Sequence, residues 1–153
     1  MKTQEIFLYF LIIVLIVLIV YFITAKGDKR RITIINSDGK SVDIEAEMAN
    51  DSATKAKGLM GRTSLGQNEG MLFTFPKAGK YGFWMFNTSI ALDAIHFDEN
   101  GTVVDIIAME PCGLTNCSQY YPKTDSKYVL EVNVGFAKKN KIFIGKSKLK
   151  ELP

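Results

Sequence analysis

The clearest structural signal in the chain is the stretch IALDAIHFDENGTVVDIIAM (residues 90–109), which contains two apolar runs separated by a short polar segment. Both runs contain the β-branched and aromatic residues that favour β-strands. Between them, an Asn-Gly pair (100–101) supplies the positive φ angles that a tight hairpin turn requires. The sequence therefore predicts an antiparallel hairpin with strands at 90–97 and 102–109.

A second hairpin and a short helix precede this stretch. Residues 31–36 and 41–46 flank an Asp-Gly pair (38–39), which is another dipeptide typical of hairpin turns. After them, Asn50 or Asp51 is placed to cap a short helix. Local sequence thus predicts a strand-rich domain with little helix in this part of the chain.

The N-terminal segment has a different character. Residues 6–23 (IFLYFLIIVLIVLIVYFI) are eighteen consecutive apolar or aromatic residues without a charge. This length and composition predict a single transmembrane helix with the lipid bilayer as its partner. A cleaved signal peptide is the alternative, although its apolar core is usually shorter, roughly 7–15 residues. The predicted organisation is an anchor (1–25), a charged linker (26–31) and one globular domain (32–150).

The remaining composition narrows the fold class and the partners. Residues 127–134 (KYVLEVNV) alternate with period two, as a half-buried strand does. The predicted fold is a β-rich α+β domain with a small barrel- or sandwich-like sheet and one or two short helices, behind the transmembrane helix. Net charge is +3, basic and aromatic residues are not interleaved, and no nucleic-acid partner is predicted.

Several motifs carry a family resemblance. They are GLMGR (58–62), GMLFTFP (70–76), FWMFNTSIALDAIHFDENGTVVDI (83–106), EPC (110–112) and VLEVNVG (129–135). Together they resemble the uncharacterised family DUF192, also called UPF0127, over most of the domain. The resemblance implies a fold and no mechanism. This sequence departs from the family pattern at Phe86, where lysine is frequent, and at Ala91, where proline is frequent.

The side of the membrane on which the domain lies is left open by the sequence. Lys26, Lys29, Arg30 and Arg31 follow the apolar segment, and the positive-inside rule then predicts a cytoplasmic domain. Members of the resembling family are often exported or anchored, which implies the opposite side. The prediction is a single-pass membrane protein whose domain leans towards the extracytoplasmic side.

The two cysteines are candidates for a disulfide. Cys112 and Cys117 are the only cysteines, and four residues separate them. A structural disulfide, a pair of inert thiols, and metal or redox chemistry are the three interpretations. The spacing differs from C-x-x-C, and zinc would need two more ligands in a chain whose single histidine is His96. We therefore predict a disulfide candidate, no metal and no cofactor.

The candidate ligand site lies in the FWM-x-NT-x-x-x-LD block. We expect Trp84 to stack on a ring while Asn87, Thr88 and Asp93 supply polar contacts, an arrangement suited to sugars. The alternative is structural, because Asn and Asp side chains also shape turns. Arg62 is a further candidate for binding an anionic ligand.

Arg62 and His96 also have plain structural interpretations. For Arg62 we expect an internal ion pair with Glu69, Asp93 or Glu131. For His96 the functional hypothesis is a general base, and the structural one, which we favour, is a partly exposed strand residue.

Three functional hypotheses follow from these residues. The first is a membrane-anchored accessory module that binds a small molecule or a glycan. The second is a hydrolase that uses Asp93 with His96 or Glu131. The third is a protein-interaction module at the membrane, with its protein partner undefined. Whether the chain is an enzyme is left open.

Overall fold

The computed structural model describes residues 3–24, 28–113 and 116–153, and within the first helix it describes the side chains of residues 5 and 7–19. In these ranges the chain forms three helices and nine strands. In chain order they are α1 (Thr3–Thr24), β1 (Lys29–Ile35), β2 (Ser41–Ala49), α2 (Ser52–Lys57), β3 (Glu69–Gly79), β4 (Phe83–Trp84), β5 (Leu92–Phe97), β6 (Val103–Met109), β7 (Gln119–Tyr120), β8 (Ser126–Asn133), α3 (Phe136–Lys139) and β9 (Lys148–Leu149).

The apolar N-terminal stretch is helical, but it does not qualify as a membrane span. Among the residues that the structure describes, no helix is long and apolar enough to cross a membrane. On this finding, the predicted transmembrane helix and single-pass membrane location are wrong for the described part of the chain.

Seven strands form one curled, mixed sheet in the order β6-β5-β8-β3-β2-β1-β9. Its only parallel pair among the described strands is β2 with β3, which α2 connects. The two ends of the sheet meet, because the Val103 amide donates to the Ser147 carbonyl (2.9 Å) and the Leu149 amide donates to the Gly101 carbonyl (2.8 Å). The β-rich, barrel-like part of the predicted fold is therefore correct.

Both predicted hairpins form at the expected turns. Gly39 joins β1 to β2 with a φ of 76°, and Gly101 joins β5 to β6 with a φ of 79°. Glycine adopts this left-handed conformation without the steric penalty that other residues incur. Of the two predicted helix caps, Asn50 and Asp51, the structure has Asp51, whose carboxylate accepts hydrogen bonds from the Ala53 and Thr54 amides at the start of α2.

The large sheet buries two separate hydrophobic clusters, one on each face. We call the faces inner and outer. The inner cluster is mainly aliphatic and is closed by α3, with its buried members at Ile32, Ile34, Ile44, Ala46, Met48, Leu72, Ile95, Phe97, Val103, Tyr128, Leu130, Val132, Phe136, Ala137, Ile142 and Leu149. The outer cluster is rich in Phe and Met, with its buried members at Ala49, Leu59, Met71, Phe73, Phe83, Met85, Leu92, Ala94, Met109 and Val129.

A layer containing α2, β4 and their following loops covers the outer face. Leu59, Phe83 and Met85 belong to this layer and pack on the sheet residues of the outer cluster. The layer is thin, since α2 has six residues and β4 has two. The candidate site lies where this layer meets the centre of the sheet.

Candidate functional site

Glu131 is a buried carboxyl group near the middle of the sheet. It lies on β8 between Met71 of β3 and Ala94 of β5, and it faces the outer cluster with only 4% of its surface exposed. Burial raises the pKa of Glu131 to about 8. Among the described residues its carboxyl group has no hydrogen-bond or ion-pair partner. Because charge is costly to bury, Glu131 is predominantly protonated at neutral pH.

A small cavity opens above this carboxyl group. Its volume is about 30 Å³, which is room for roughly one or two water-sized groups. Glu131 lines the cavity from the sheet, whereas Phe83, Trp84 and Thr88 line it from the covering layer. Most of the other walls are apolar, and they include Gly58, Leu59, Phe73, Met85 and Leu92.

A wider groove adjoins the cavity and shares Phe73, Phe83 and Trp84 with it. Phe75 and Tyr81 add further aromatic walls, and Lys55, Ala56 and Gly82 also line the groove. Its volume is about 300 Å³, and we call it the aromatic groove. Phe75 stacks on Tyr81 with ring centroids 3.7 Å apart. Phe73 meets Phe83 edge to face at 5.1 Å. These contacts fix the rings that form the walls of the groove.

Trp84 lies at the mouth of both spaces. Its side chain is 48% exposed, although β4 places the neighbouring Phe83 in the outer cluster. The indole stacks on Phe86 with centroids 5.3 Å apart and 26° between the ring planes. Phe86 therefore supports one side of the tryptophan, which remains partly open to solvent.

Asn87 and Thr88 shape the loop that carries Trp84. Asn87 has a φ of 52°, and its carbonyl accepts a hydrogen bond from the Gly61 amide at 2.7 Å. The Asn87 side chain is exposed, whereas Thr88 is buried and its hydroxyl donates to the Phe86 carbonyl at 3.3 Å. Thr88 and Trp84 therefore line the same cavity.

Asp93 lies on the opposite face of the sheet from this cavity. Its carboxylate accepts a hydrogen bond from the Ala137 amide at 3.0 Å, at the start of α3. Because successive strand residues point to opposite faces, Asp93 faces the inner cluster whereas Ala94 faces the outer one. The expected cleft shared by Trp84 and Asp93 is therefore not formed.

Arg62 forms an ion pair, but with a residue other than those expected. Its guanidinium contacts the carboxylate of Glu47 on β2, rather than Glu69, Asp93 or Glu131. Glu47 lies beside Met71 on the outer face, at the edge of the covering layer. Arg62 thus attaches the loop after α2 to the sheet.

His96 is fully buried rather than partly exposed. Its Nδ1 lies 3.0 Å from the Ser126 hydroxyl oxygen, and its Nε2 has no hydrogen-bond partner among the described residues. Burial lowers the pKa of His96 to about 4, although nearby Asp105 acts in the opposite direction. His96 is consequently neutral at physiological pH and packs edge to face against Phe83 at 5.8 Å.

The residues of the hydrolase hypothesis are not assembled. Asp93 faces the inner cluster, whereas His96 and Glu131 face the outer one. His96 lies opposite Val129 and Glu131 lies opposite Ala94, so the two outer residues are diagonal neighbours with no hydrogen bond between them. Asp93 cannot act together with either residue in this fold.

Cys112 and Cys117 form the expected pair. Their sulfur atoms are at disulfide-bonding distance, and their Cα atoms are 5.4 Å apart. In the described ranges no group of three or more histidine, cysteine or acidic side chains is arranged to hold a metal ion.

The position of Glu131 is the main feature that sequence reasoning missed. In KYVLEVNV, alternation places Glu131 on the same face as Lys127 and Asn133, which suggests a solvated face. The face is instead covered by residues distant in the chain, such as Phe83. Val129 between two polar neighbours is the one local sign that this face is partly buried.

The curled sheet, its short helices and the covered carboxyl group define a small β-rich α+β domain. Residues 33–148 match the family model DUF192, described as an uncharacterized ACR, so the chain belongs to this family. The resemblance noted from the sequence is thereby confirmed.

Individual relatives agree with this assignment. A UPF0127 protein of Pyrococcus abyssi is 31% identical over 119 residues, covering 73% of this chain and 92% of the relative. A solved structure from Novosphingobium aromaticivorans, a protein of unknown function, is 31% identical with a TM-score of 0.73, covering 82% of this chain and 86% of that one. A structure from Sinorhizobium meliloti, whose description suggests a transcription regulator, is 27% identical with a TM-score of 0.74, covering 82% and 95%.

Proposed function

We propose that this domain binds a small ligand in the aromatic groove, with one group of the ligand entering the cavity above Glu131. The observation that carries the proposal is the Glu131 carboxyl group, which is buried, has no partner among the described residues and lines an open cavity. Its oxygens are accessible from the cavity, because among the described residues the only fully buried side-chain polar atom without a partner is the Nε2 of His96. Buried carboxyl groups are usually hydrogen-bonded, and a ligand group that enters the cavity can supply that bond.

The dimensions of the site limit the ligand to a small molecule. The aromatic groove, at about 300 Å³, lies at the lower end of the range of about 300–1,000 Å³ that is typical of ligand pockets. A single ring or a monosaccharide is of this size. The partly exposed indole of Trp84 offers a stacking surface for either.

A glycan remains one member of this ligand class. Its polar contacts would come from Thr88, Lys55 and Glu131, because Asp93 lies across the sheet. A hydrolase is not favoured, since no second acid or base contacts Glu131 among the described residues.

Trp84 is the only tryptophan in the chain, and its emission therefore reports on this site alone. We would screen glycans, nucleotides, organic acids and amines for changes in that emission and for thermal stabilisation. We expect a hit to raise the melting temperature of the wild-type protein and to lose this effect in Trp84→Ala.

Phe143→Ala is the matched control for that variant. Phe143 is 44% exposed, close to the 48% of Trp84, and it lies outside the groove, so this substitution should leave ligand stabilisation intact. Hits whose stabilisation survives Trp84→Ala, or a screen without hits in all four classes, would contradict the proposed function.

A further inference from the structure

We infer that the ligand group seated against Glu131 is a small organic cation, an ammonium group carried by a ligand whose apolar part lies in the aromatic groove. This inference rests on the proposed function and specifies the class of ligand. Three features of the site support it: the carboxyl group without a partner among the described residues, the aromatic walls and the size of the cavity.

No described cation of the protein neutralises Glu131. Lys55 and Lys57 line the cavity, but the Lys55 ammonium donates to the Asn50 carbonyl at 3.0 Å. Arg62 is engaged by Glu47. A carboxyl group that is enclosed, unpaired and open only to a cavity is complementary to a cation that arrives from outside.

The aromatic walls of the site favour a cation, although the Lys55 and Lys57 side chains also line the cavity. Aromatic faces attract ammonium groups through their negative quadrupole, and Phe73, Phe83 and Trp84 line part of the cavity. The protein itself provides an example, since the Lys55 ammonium lies 5.1 Å from the centroid of Phe75 in the adjoining groove. The cavity volume of about 30 Å³ accommodates an ammonium or methylammonium head group but no bulkier one.

Binding an ammonium group requires an exchange of one proton with solvent. The ligand keeps its proton, the Glu131 carboxyl group releases one, and the resulting carboxylate pairs with the ammonium. Because burial raises the pKa of Glu131 to about 8, close to one proton should leave per ligand bound at pH 7. Affinity should rise about tenfold per pH unit from pH 6 to pH 8 and level off above that.

Other charged groups face Glu131 from the elements packed against it. They are His96 from β5, Glu47 from β2 with its partner Arg62, and Lys55 and Lys57 from α2, whereas Asp105 lies beside His96 on β6. Burial lowers the pKa of His96 to about 4, so its charge does not change between pH 6 and pH 8. We therefore assign proton release in this range to Glu131.

Three matched probes test the inference on the full chain: 2-phenylethylamine, 2-phenylethanol and 3-phenylpropionate. They share a ring for the groove and differ in having a cationic, neutral or anionic head. We expect Trp84 emission to report the tightest binding for the amine, with affinity rising about tenfold per pH unit between pH 6 and pH 8. Calorimetry in phosphate and in Tris should show a buffer-dependent enthalpy, which is the signature of proton release.

Variants separate the carboxyl group from the fold. Glu131→Gln keeps the shape of the protonated residue, and we expect it to weaken amine binding at pH 8 by at least about tenfold and to remove the pH dependence. Binding of 2-phenylethanol should persist in this variant. Asp93→Asn is the control, because that carboxyl group is equally buried but lies on the other face of the sheet.

The outcomes distinguish this inference from the proposed function. If the alcohol or the acid binds at least as tightly as the amine, or if amine affinity falls as pH rises, the cation is excluded while ligand binding in the groove stands. If none of the three probes changes the Trp84 emission, the inference fails as well. The wider ligand screen then decides the proposed function separately.

Discussion

The two faces of the large sheet treat a buried carboxyl group in opposite ways. On the inner face, Asp93 is 5% exposed and accepts a hydrogen bond from the first turn of α3. On the outer face, Glu131 is 4% exposed and has no partner among the described residues. Equal burial therefore does not mean an equal role. The partner of the group, rather than its depth, separates a structural acid from a candidate binding group.

The hydrophobic clusters around the two acids also differ: one supplies a hydrogen-bond donor to its acid, and the other leaves a cavity. The inner cluster is mainly aliphatic, continuous and closed by α3, so a backbone donor reaches its carboxyl group. The outer cluster is built from Phe and Met beneath a thin layer and leaves a cavity above Glu131. Polar groups on that face, Glu131 and the Nε2 of His96, remain without partners among the described residues.

The largest expected effect is that of replacing Glu131. The folded state holds the pKa of this carboxyl group at about 8, above the ordinary 4.5, so the unfolded chain loses its proton first as pH rises. Stability should therefore fall between pH 4.5 and pH 8. We expect Glu131→Gln to be more stable than wild type by about 3 kcal/mol at pH 7. Urea unfolding at several pH values measures this, and a destabilised variant at pH 7 would contradict it.

His96 should give a smaller effect of opposite sign. Its folded-state pKa is about 4, below the ordinary 6.5, so the unfolded chain binds a proton first as pH falls. The titration of His96 should therefore lower the free energy of unfolding by about 2 kcal/mol as the pH falls from 6.5 to 5. In wild type, Glu131 offsets that loss over the same interval, and the profile should be nearly flat.

Single variants should reveal the opposing contributions of Glu131 and His96 to the dependence of stability on pH. Glu131→Gln should lose stability on acidification from pH 6.5 to pH 5, whereas His96→Gln should gain it. The double variant should again be flat. A Glu131→Gln profile without an acid slope would show that His96 does not titrate as its burial implies.

The smallest expected effect is that of replacing Asp93, the buried acid that has a hydrogen-bond partner. Asp93→Ala removes the acceptor for the Ala137 amide and should destabilise the protein by about 1 kcal/mol, as for the loss of a helix cap. Asp93→Asn keeps an acceptor oxygen and should cost less. Neither substitution should change the Trp84 emission, because the indole lies across the sheet. A change in Trp84 emission would contradict the conclusion that Asp93 and Trp84 act independently on opposite faces of the sheet.

Local chemistry made much of the fold predictable. Asp-Gly and Asn-Gly pairs identified both hairpins, because the turn needs positive φ angles that Gly39 and Gly101 provide. Asp51 was recognisable as a helix cap for a similar reason. Trp84, a candidate binding residue from the sequence, is 48% exposed, and its contact with a ligand stays a prediction.

The site itself depended on contacts between distant residues. Trp84 and Asp93 are close in sequence, but a strand that begins at Leu92 directs Asp93 away from the indole. The partner of Arg62 lies on β2, which the sequence could not place beside the loop after α2. Glu131 stands out only once Phe83 and Phe73 are known to cover it.

The hydrogen bond between the Gly61 amide and the Asn87 carbonyl bears on how freely the site can be redesigned. It joins the two segments that border the cavity through backbone atoms alone, and both residues have positive φ angles. The bond therefore restricts substitutions at Gly61 and Asn87. Substitutions at Met60, Trp84 and Phe86 do not remove it. The side chains at the mouth of the cavity can therefore be substituted to engineer new ligand preferences, while the sheet beneath them is left unchanged.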